Sequence, residues 1–213
     1  MLDLVVGFCP SKEGWGPLSP SRSADFTSCF EYGGLVSGLS ALFIFVAVLR
    51  FRKLHGAPRL PSSLVANSTF WIKLWLAMFA LFASVAELVV MIGLVPITSV
   101  YITSLALQSI AAAVAVRLHY KEQFASKVAS TPLLLFWFST SVLALIRLRT
   151  IISLSLVTRD PPFIIEGILY MVASLVTMAM ELQPKPHMLY ELPDNDNDNN
   201  DEEKQQFYDK DYR

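Results

Sequence analysis

Five long apolar stretches fill most of the chain and constrain its fold more than any other feature. They cover residues 32–49, 74–95, 97–116, 132–157 and 163–180. A helix crosses ~30 Å of hydrocarbon with about 20 residues, because each residue rises ~1.5 Å along the axis. Within the bilayer, the polar backbone groups of such a segment must be satisfied inside the helix itself. The pattern therefore predicts an all-α membrane protein, a bundle of five transmembrane helices.

Charge divides the chain into a basic body and an acidic tail. Residues 1–190 hold 14 Lys and Arg against 9 Asp and Glu, whereas residues 191–213 hold 3 against 9. Residues 194–203 are almost entirely Asp, Asn and Glu, so they have too little apolar surface to offset the entropy lost on ordering. We therefore expect a leader at residues 1–31, a five-span membrane domain at residues 32–190 and a disordered tail after it.

The distribution of Lys and Arg predicts the orientation of the helices. The connections after the first and third stretches carry Arg50, Arg52, Lys53, Arg59, Lys73, Arg117, Lys121 and Lys127. The connection after the second stretch has no charge, and the one after the fourth has a single Arg. Because basic residues stay on the cytoplasmic side, the N-terminus is expected outside or in a lumen and the C-terminus in the cytoplasm. Asn67 begins an Asn-Ser-Thr glycosylation sequon on the predicted cytoplasmic side, so a glycan there would invert this topology.

Glu87 and Arg147 lie inside the second and fourth stretches, where an ionisable side chain costs at least ~2.5 kcal/mol near mid-membrane. Both stretches run in the same direction, and the two residues lie at similar depths in them. We therefore expect Glu87 and Arg147 to pair across the bundle. Two interpretations stay open: a buried ion pair that fixes the register of the helices, or part of a substrate or proton path in a transporter.

Several further features are expected near a membrane surface. Arg149, Arg159 and Glu166 are predicted to form a second pair or network near the external surface. Glu181 lies at the cytoplasmic edge, where its side chain is expected to reach the surface. Residues 121–130 are amphipathic and are predicted to lie along the membrane. The three histidines flank different stretches and are expected at the membrane edge rather than as metal ligands: His55, His119 and His187.

Small side chains favour close contact between helices in lipid. Gly34 and Gly38 have G-x-x-x-G spacing in the first stretch, and Ser104, Ser109 and the three alanines at residues 111–113 lie in the third. Packing inside the bundle and contact with a partner protein both fit this pattern.

Cys9 and Cys29 are the only two cysteines, and both lie before or at the edge of the first stretch. On the external side of a membrane the compartment is oxidising, which favours a disulfide over two free thiols. A disulfide would close a loop of about 20 residues and contribute ~3 kcal/mol by the chain-entropy relation.

The sequence contains none of the common catalytic motifs. It lacks the phosphate-binding loop G-x-x-x-x-G-K-[ST], the zinc motif H-E-x-x-H and the nucleophile elbow G-x-S-x-G. We therefore predict no enzyme active site, no cofactor and no metal, with membrane lipid as one partner and no role in binding nucleic acid.

The leader carries a more specific pattern. Cys9 is followed by Gly14-Trp15-Gly16-Pro17, and then by Asp25-Phe26-Thr27-Ser28-Cys29-Phe30. This pattern resembles the start of C-subfamily ABC transporters, the multidrug-resistance-associated and yeast vacuolar glutathione-conjugate pump type. Those transporters carry an N-terminal five-helix membrane domain before the transporter core. Five stretches and an external N-terminus suit that domain.

The resemblance implies a non-catalytic domain that acts in trafficking, membrane retention and partner contact for an ATP-driven pump of organic anions or conjugates. It implies a vacuolar or plasma membrane, a partner that is an ABC transporter core or other membrane protein, and a disulfide between the leader cysteines. The resemblance covers residues 1–190, and the 213 residues contain no nucleotide-binding loop of the kind that those transporters carry. The alternative is an independent small transporter or channel that uses Glu87, Arg147 and Glu166.

Overall fold

A computed structural model describes residues 16–19, 26–56, 68–94, 99–125, 130–153 and 161–183. A π-helical turn, Phe30–Val36, continues directly into the first of five α-helices. These are α1 (Ser37–His55), α2 (Ser68–Leu94), α3 (Ser99–Ala125), α4 (Thr131–Ser153) and α5 (Pro161–Glu181). The all-α membrane fold predicted from hydropathy is confirmed.

Four of these segments are long and apolar enough to cross a membrane, and the fifth has a shorter apolar part at Gly167–Glu181. Most helices are longer than the apolar stretches that predicted them, because their polar ends continue the same helix. Thus α3 runs to Ala125, so the prediction of a separate surface segment starting at residue 121 is wrong for residues 121–125. Helix α4 begins next to Pro132 and α5 begins at Pro161, where proline fits the first turn.

The five helices form a ring with one loose seam. Helix α1 packs on α3, α3 on α2, α2 on α5 and α5 on α4, whereas α4 returns to α1 through a weaker contact. Fully buried alanines let neighbouring helices approach closely, namely Ala77 and Ala80 of α2 and Ala111 and Ala115 of α3. Across the seam, the rings of Phe43 and Phe136 stack with their centroids 4.0 Å apart.

The outer surface of the ring is apolar. Phe45, Trp75, Phe82 and Leu145 expose more than half of their surface, and each lies on a membrane-spanning helix. A soluble protein rarely exposes so continuous an apolar surface, but in a bilayer this surface faces hydrocarbon. The chain is therefore an integral membrane protein.

The small residues of the first and third predicted spans behave differently. Ser104, Ser109 and Ala111 of α3 are buried within the bundle. A Cβ added at Gly38 would meet no atom within 4 Å, and one at Gly34 would meet only the ring of Phe30, in the same helical segment. Within the described residues, the G-x-x-x-G pair therefore does not hold α1 against another helix.

Candidate functional site: charge networks between the helices

The leader pattern anchors the start of the first helix through Thr27. The hydroxyl of Thr27, which is fully buried, donates to the carbonyl oxygen of Gly16 at 2.6 Å. Its oxygen also accepts the backbone N–H of Phe30 at 3.3 Å, which satisfies one of the N–H groups that a helix start leaves without a partner. The rings of Phe26 and Phe30 lie 5.7 Å apart beside this contact. These residues of the pattern therefore fold together, and Pro17 beside them is exposed.

The π-helical turn places Tyr32 against α3. The backbone N–H of Ser37 bonds to the carbonyl oxygen of Tyr32, five residues earlier. The same carbonyl oxygen lies 2.7 Å from the hydroxyl of Ser104 in α3, and that hydroxyl lies 2.8 Å from the hydroxyl of Ser37. This polar contact fixes the height at which the first helix meets α3.

Arg147 joins three parts of the ring. Its guanidinium donates to Oε1 of Glu87 in α2 and, at 3.0 Å, to the hydroxyl of Tyr32. The guanidinium carbon also lies 5.0 Å from the centre of the Tyr32 ring, within the range of a cation–π contact. Glu87 is 8% exposed, so the negative charge inside the bundle faces a positive one.

Glu31 forms a second buried contact at this end of the ring. It is 1% exposed, and Thr150 of α4 donates its hydroxyl to Oε2 of Glu31 at 3.1 Å. The sequence analysis placed Glu31 in the leader, because this residue precedes the uncharged apolar stretch by one position. The buried contact of Glu31 was therefore not predicted. The only available signal was its position next to Phe30 in the leader pattern.

Arg50 and Glu122 form an ion pair at the opposite end of the ring. Nε and Nη2 of Arg50 lie 2.6 and 3.2 Å from the two carboxylate oxygens of Glu122. Ser130 donates its hydroxyl to Oε1 of Glu122 at 3.1 Å. Glu122 is 2% exposed, so this bidentate contact between α1 and α3 is largely buried.

The prediction that the side chain of Glu181 reaches the surface is wrong, because that side chain is buried. The side chain of His119 is buried next to it. Oε2 of Glu181 lies 3.2 Å from Nζ of Lys73 in α2 and 3.8 Å from Nδ1 of His119 in α3. Nε2 of His119 accepts the indole N–H of Trp137 in α4 at 2.8 Å. Helices α2, α3, α4 and α5 therefore all contribute to this polar cluster around Glu181.

The remaining predicted site residues divide into two groups. Arg149 is exposed on α4. The side chain of Glu166 and all of Arg159 lie outside the described residues, as do Cys9, Gly14, Trp15 and Asp25. The second ionic network and the disulfide of Cys29, which is fully buried, therefore stay predictions.

In these networks, the charges inside the bundle are neutralised by other side chains of the same bundle. Each buried carboxylate described above faces a cation or a hydroxyl donor on a different helix. Among the described residues, no three His, Cys, Asp or Glu side chains come together as they would to hold a metal ion. Removing one member of a buried ion pair leaves an uncompensated charge and strongly destabilises the protein. Such pairs therefore specify which helices are neighbours and at what height along the bundle they meet.

A ring of apolar helices joined by internal ion pairs defines a polytopic membrane domain. A comparison with protein families matches residues 6–165 to the ABC transporter TMD0 domain. The chain therefore belongs to the family of ABC transporter TMD0 domains. This match supports the resemblance drawn from the leader pattern, and it identifies the chain as a membrane domain of the ABC transporter type. A search of curated proteins finds no match.

Proposed function

We propose that this domain is a non-catalytic module that supports trafficking, membrane retention and partner contact for an ATP-driven pump of organic anions or conjugates, in a vacuolar or plasma membrane. The observation that carries the proposal is the pairing of Glu87 with Arg147 inside a domain of the TMD0 family. A charge that is neutralised by its neighbour stabilises the bundle and leaves no single ion to bind a substrate. The pairing thus favours a structural role over a small independent transporter.

The outward face of α1 is the surface that best fits a partner. Gly38, Leu42, Phe45 and Leu49 lie on one helical face at spacings of four and three residues, and all four are exposed. The space next to Gly38 is open, so a helix of another protein can approach the α1 backbone closely there. We assign this face, formed by these four residues, to contact with the transporter core.

Co-purification tests the proposal. The tagged chain is expressed with a C-subfamily transporter core that lacks its own N-terminal membrane domain, and the core is measured in the eluate and at the target membrane. We expect the core to co-purify and its delivery to rise. Gly38→Leu should reduce both, whereas Gly167→Leu is the matched control, because a Cβ at Gly167 also meets no atom within 4 Å but lies on α5.

Two outcomes would contradict this proposal. If the wild-type chain neither binds the core nor changes its delivery, the role in partner contact and trafficking is wrong. If the purified chain alone transports ions or organic anions in liposomes, and Glu87→Gln abolishes that flux, the independent transporter is the better description.

A further inference from the structure

One end of the ring presents an exposed basic surface. Arg52 and Lys53 are exposed in the last turn of α1, and Arg117 is exposed near the end of α3. Nζ of Lys121 in α3 lies 5.5 Å from the centre of the Phe51 ring in α1, so the ends of the two helices lie side by side. These four Arg and Lys residues therefore form one surface, which we call the basic face.

The carboxylates of the bundle do not neutralise the basic face. The four acidic side chains that the structure describes are all buried, namely Glu31, Glu87, Glu122 and Glu181. Among the described residues, none of the four side chains of the basic face forms an ion pair. Basic residues at the end of a span are usual, but here no exposed acidic residue of the described chain lies among them.

The strongly acidic part of the same chain follows α5. Residues 191–203 contain seven Asp and Glu and no Lys or Arg, and we call them the acidic segment. Helix α5 ends at Glu181, at the same end of the ring as the basic face. Ser130 shows this directly, because its backbone N–H lies 3.4 Å from a carboxylate oxygen of Glu181 and its hydroxyl lies 3.1 Å from one of Glu122.

The chain between α5 and the acidic segment is long enough to reach the basic face. Asp194 comes 11 positions after Gln183, the last residue that the structure describes in this part of the chain. An extended chain of that length spans up to ~36 Å. Neighbouring helices pack ~10 Å apart, so α5 and α1, which are separated by α4 in the ring, lie roughly 20 Å apart. A linker of this length also keeps the segment near the face at an effective concentration of about 1 mM.

We propose that the acidic segment docks on the basic face and acts as its counter-ion. Each exposed ion pair contributes little, but several form together once the segment is tethered beside the face. Attraction between net charges requires no ordered backbone, so it is compatible with the disorder that the composition predicts for this segment. While docked, the segment keeps other polyanions, including the headgroups of anionic lipids, away from the basic face. This contact does not depend on the proposed role with a transporter core.

Carbodiimide cross-linking of the full chain in phosphatidylcholine nanodiscs tests the proposal. The reagent joins a carboxylate to an amine without a spacer, so it reports direct contact, and the basic face offers the amines of Lys53 and Lys121. We expect mass spectrometry to find both lysines linked to residues 191–203. The yield should fall roughly fivefold between ~0.1 M and ~1 M salt, because the Debye length shortens from ~10 Å to ~3 Å. Discs with one chain each exclude links between two chains.

Two variants change the charges and keep the reactive groups. Replacing the four aspartates of the acidic segment with asparagine leaves its three glutamates to react, and the yield from those glutamates should fall roughly fivefold. Arg52→Gln together with Arg117→Gln removes half of the charge of the basic face and should lower the yield at both lysines. Arg149→Gln is the matched control, because Arg149 is exposed at the opposite end of the ring and should not matter. Size-exclusion profiles check that each variant folds.

Three results would overturn the proposal. Absence of links from the acidic segment to Lys53 and Lys121 in the wild-type chain shows that the segment does not dock there. Yields that high salt, the aspartate replacements or the arginine replacements leave unchanged show that charge does not hold it. Links that disappear when phosphatidylserine is added to the nanodiscs show that anionic headgroups occupy the basic face instead, whereas links that persist there support the proposal.

Discussion

The indole N–H of Trp137 donates to Nε2 of His119 at 2.8 Å, and both side chains are buried. An indole nitrogen is a donor only, so Nε2 of His119 must be the unprotonated nitrogen of a neutral ring. The proton of that ring is then on Nδ1, which lies 3.8 Å from Oε2 of Glu181. One hydrogen bond thus fixes a tautomer and connects α4, through α3, to the end of α5.

This contact predicts a coupling between Trp137 and His119. His119→Phe leaves the buried indole N–H without its acceptor, whereas Trp137→Phe together with His119→Phe removes both polar groups. We expect an interaction free energy of ~1 kcal/mol in a double-mutant cycle, measured by unfolding in mixed detergent micelles. Trp75→Phe is the control, because Trp75 is 71% exposed on α2 and should change stability little. Additive effects of the two buried changes would refute the coupling.

The Arg50–Glu122 pair predicts a large loss of stability when one member is removed. Arg50→Ala leaves the carboxylate of Glu122, which is 2% exposed, without its cation. We expect a loss of ~3 kcal/mol in the free energy of unfolding, because removing the bidentate cation from a buried carboxylate is costly. Arg52→Ala, on the exposed side of the same helix, should change it by less than ~0.5 kcal/mol. Equal effects of the two substitutions would show that the pair does not stabilise the fold.

Charge reversal tests the contact between Glu87 and Arg147. Glu87→Arg and Arg147→Glu each place two like charges side by side inside the bundle, so we expect both to reduce the yield of monodisperse protein sharply. The double variant restores opposite charges and should recover much of that yield, as measured by fluorescence-detected size exclusion. Tyr32→Phe should have only a small effect, since it removes one hydrogen bond and keeps the ring beneath the guanidinium. Single reversals that fold normally would argue against a structural role for this pair.

Hydropathy predicted the helices well and their polar contacts poorly, for a physical reason. The thickness of the bilayer sets the length of an apolar segment, so α1 and α3 are visible in the sequence as uncharged runs. Which residues face one another depends on the order of the helices in the ring and on their rotation, which one sequence does not state. The contacts of Lys73 with Glu181 and of Arg50 with Glu122 were missed for that reason.

Depth was the one three-dimensional quantity that the sequence supplied. Counting residues from the start of each stretch placed Glu87 and Arg147 at similar heights, and the structure brings these two together. The same counting placed Glu181 at an edge without showing that Lys73 and His119 would cover it. The π-helical turn around Tyr32 had no recognisable signal, because the sequence there reads as an ordinary helix start.

The leader cysteines predict a redox-dependent stability. If Cys9 and Cys29 are paired, peptide mapping without reductant should find one linked peptide that separates on reduction. The loop between them holds about 20 residues, so breaking the bond should lower the free energy of unfolding by ~3 kcal/mol. Cys9→Ser should reproduce the effect of reduction, and reductant should then have no further effect. Identical peptide maps with and without reductant would rule out the disulfide.

The orientation of the ring is the remaining prediction, and it follows from the basic residues between the spans. A protease added to sealed vesicles that expose the cytoplasmic face should remove a tag at the C-terminus and leave one at the N-terminus intact. Asn67 should carry no glycan, because its sequon lies on the cytoplasmic side in this orientation. Ser21→Asn creates an Asn-Arg-Ser sequon in the leader and should gain a glycan, which serves as the positive control for glycosylation. Removal of both tags from the same side would contradict an odd number of spans. A glycan at Asn67 would contradict the external N-terminus, because it would place the connection after the first span outside the cytoplasm.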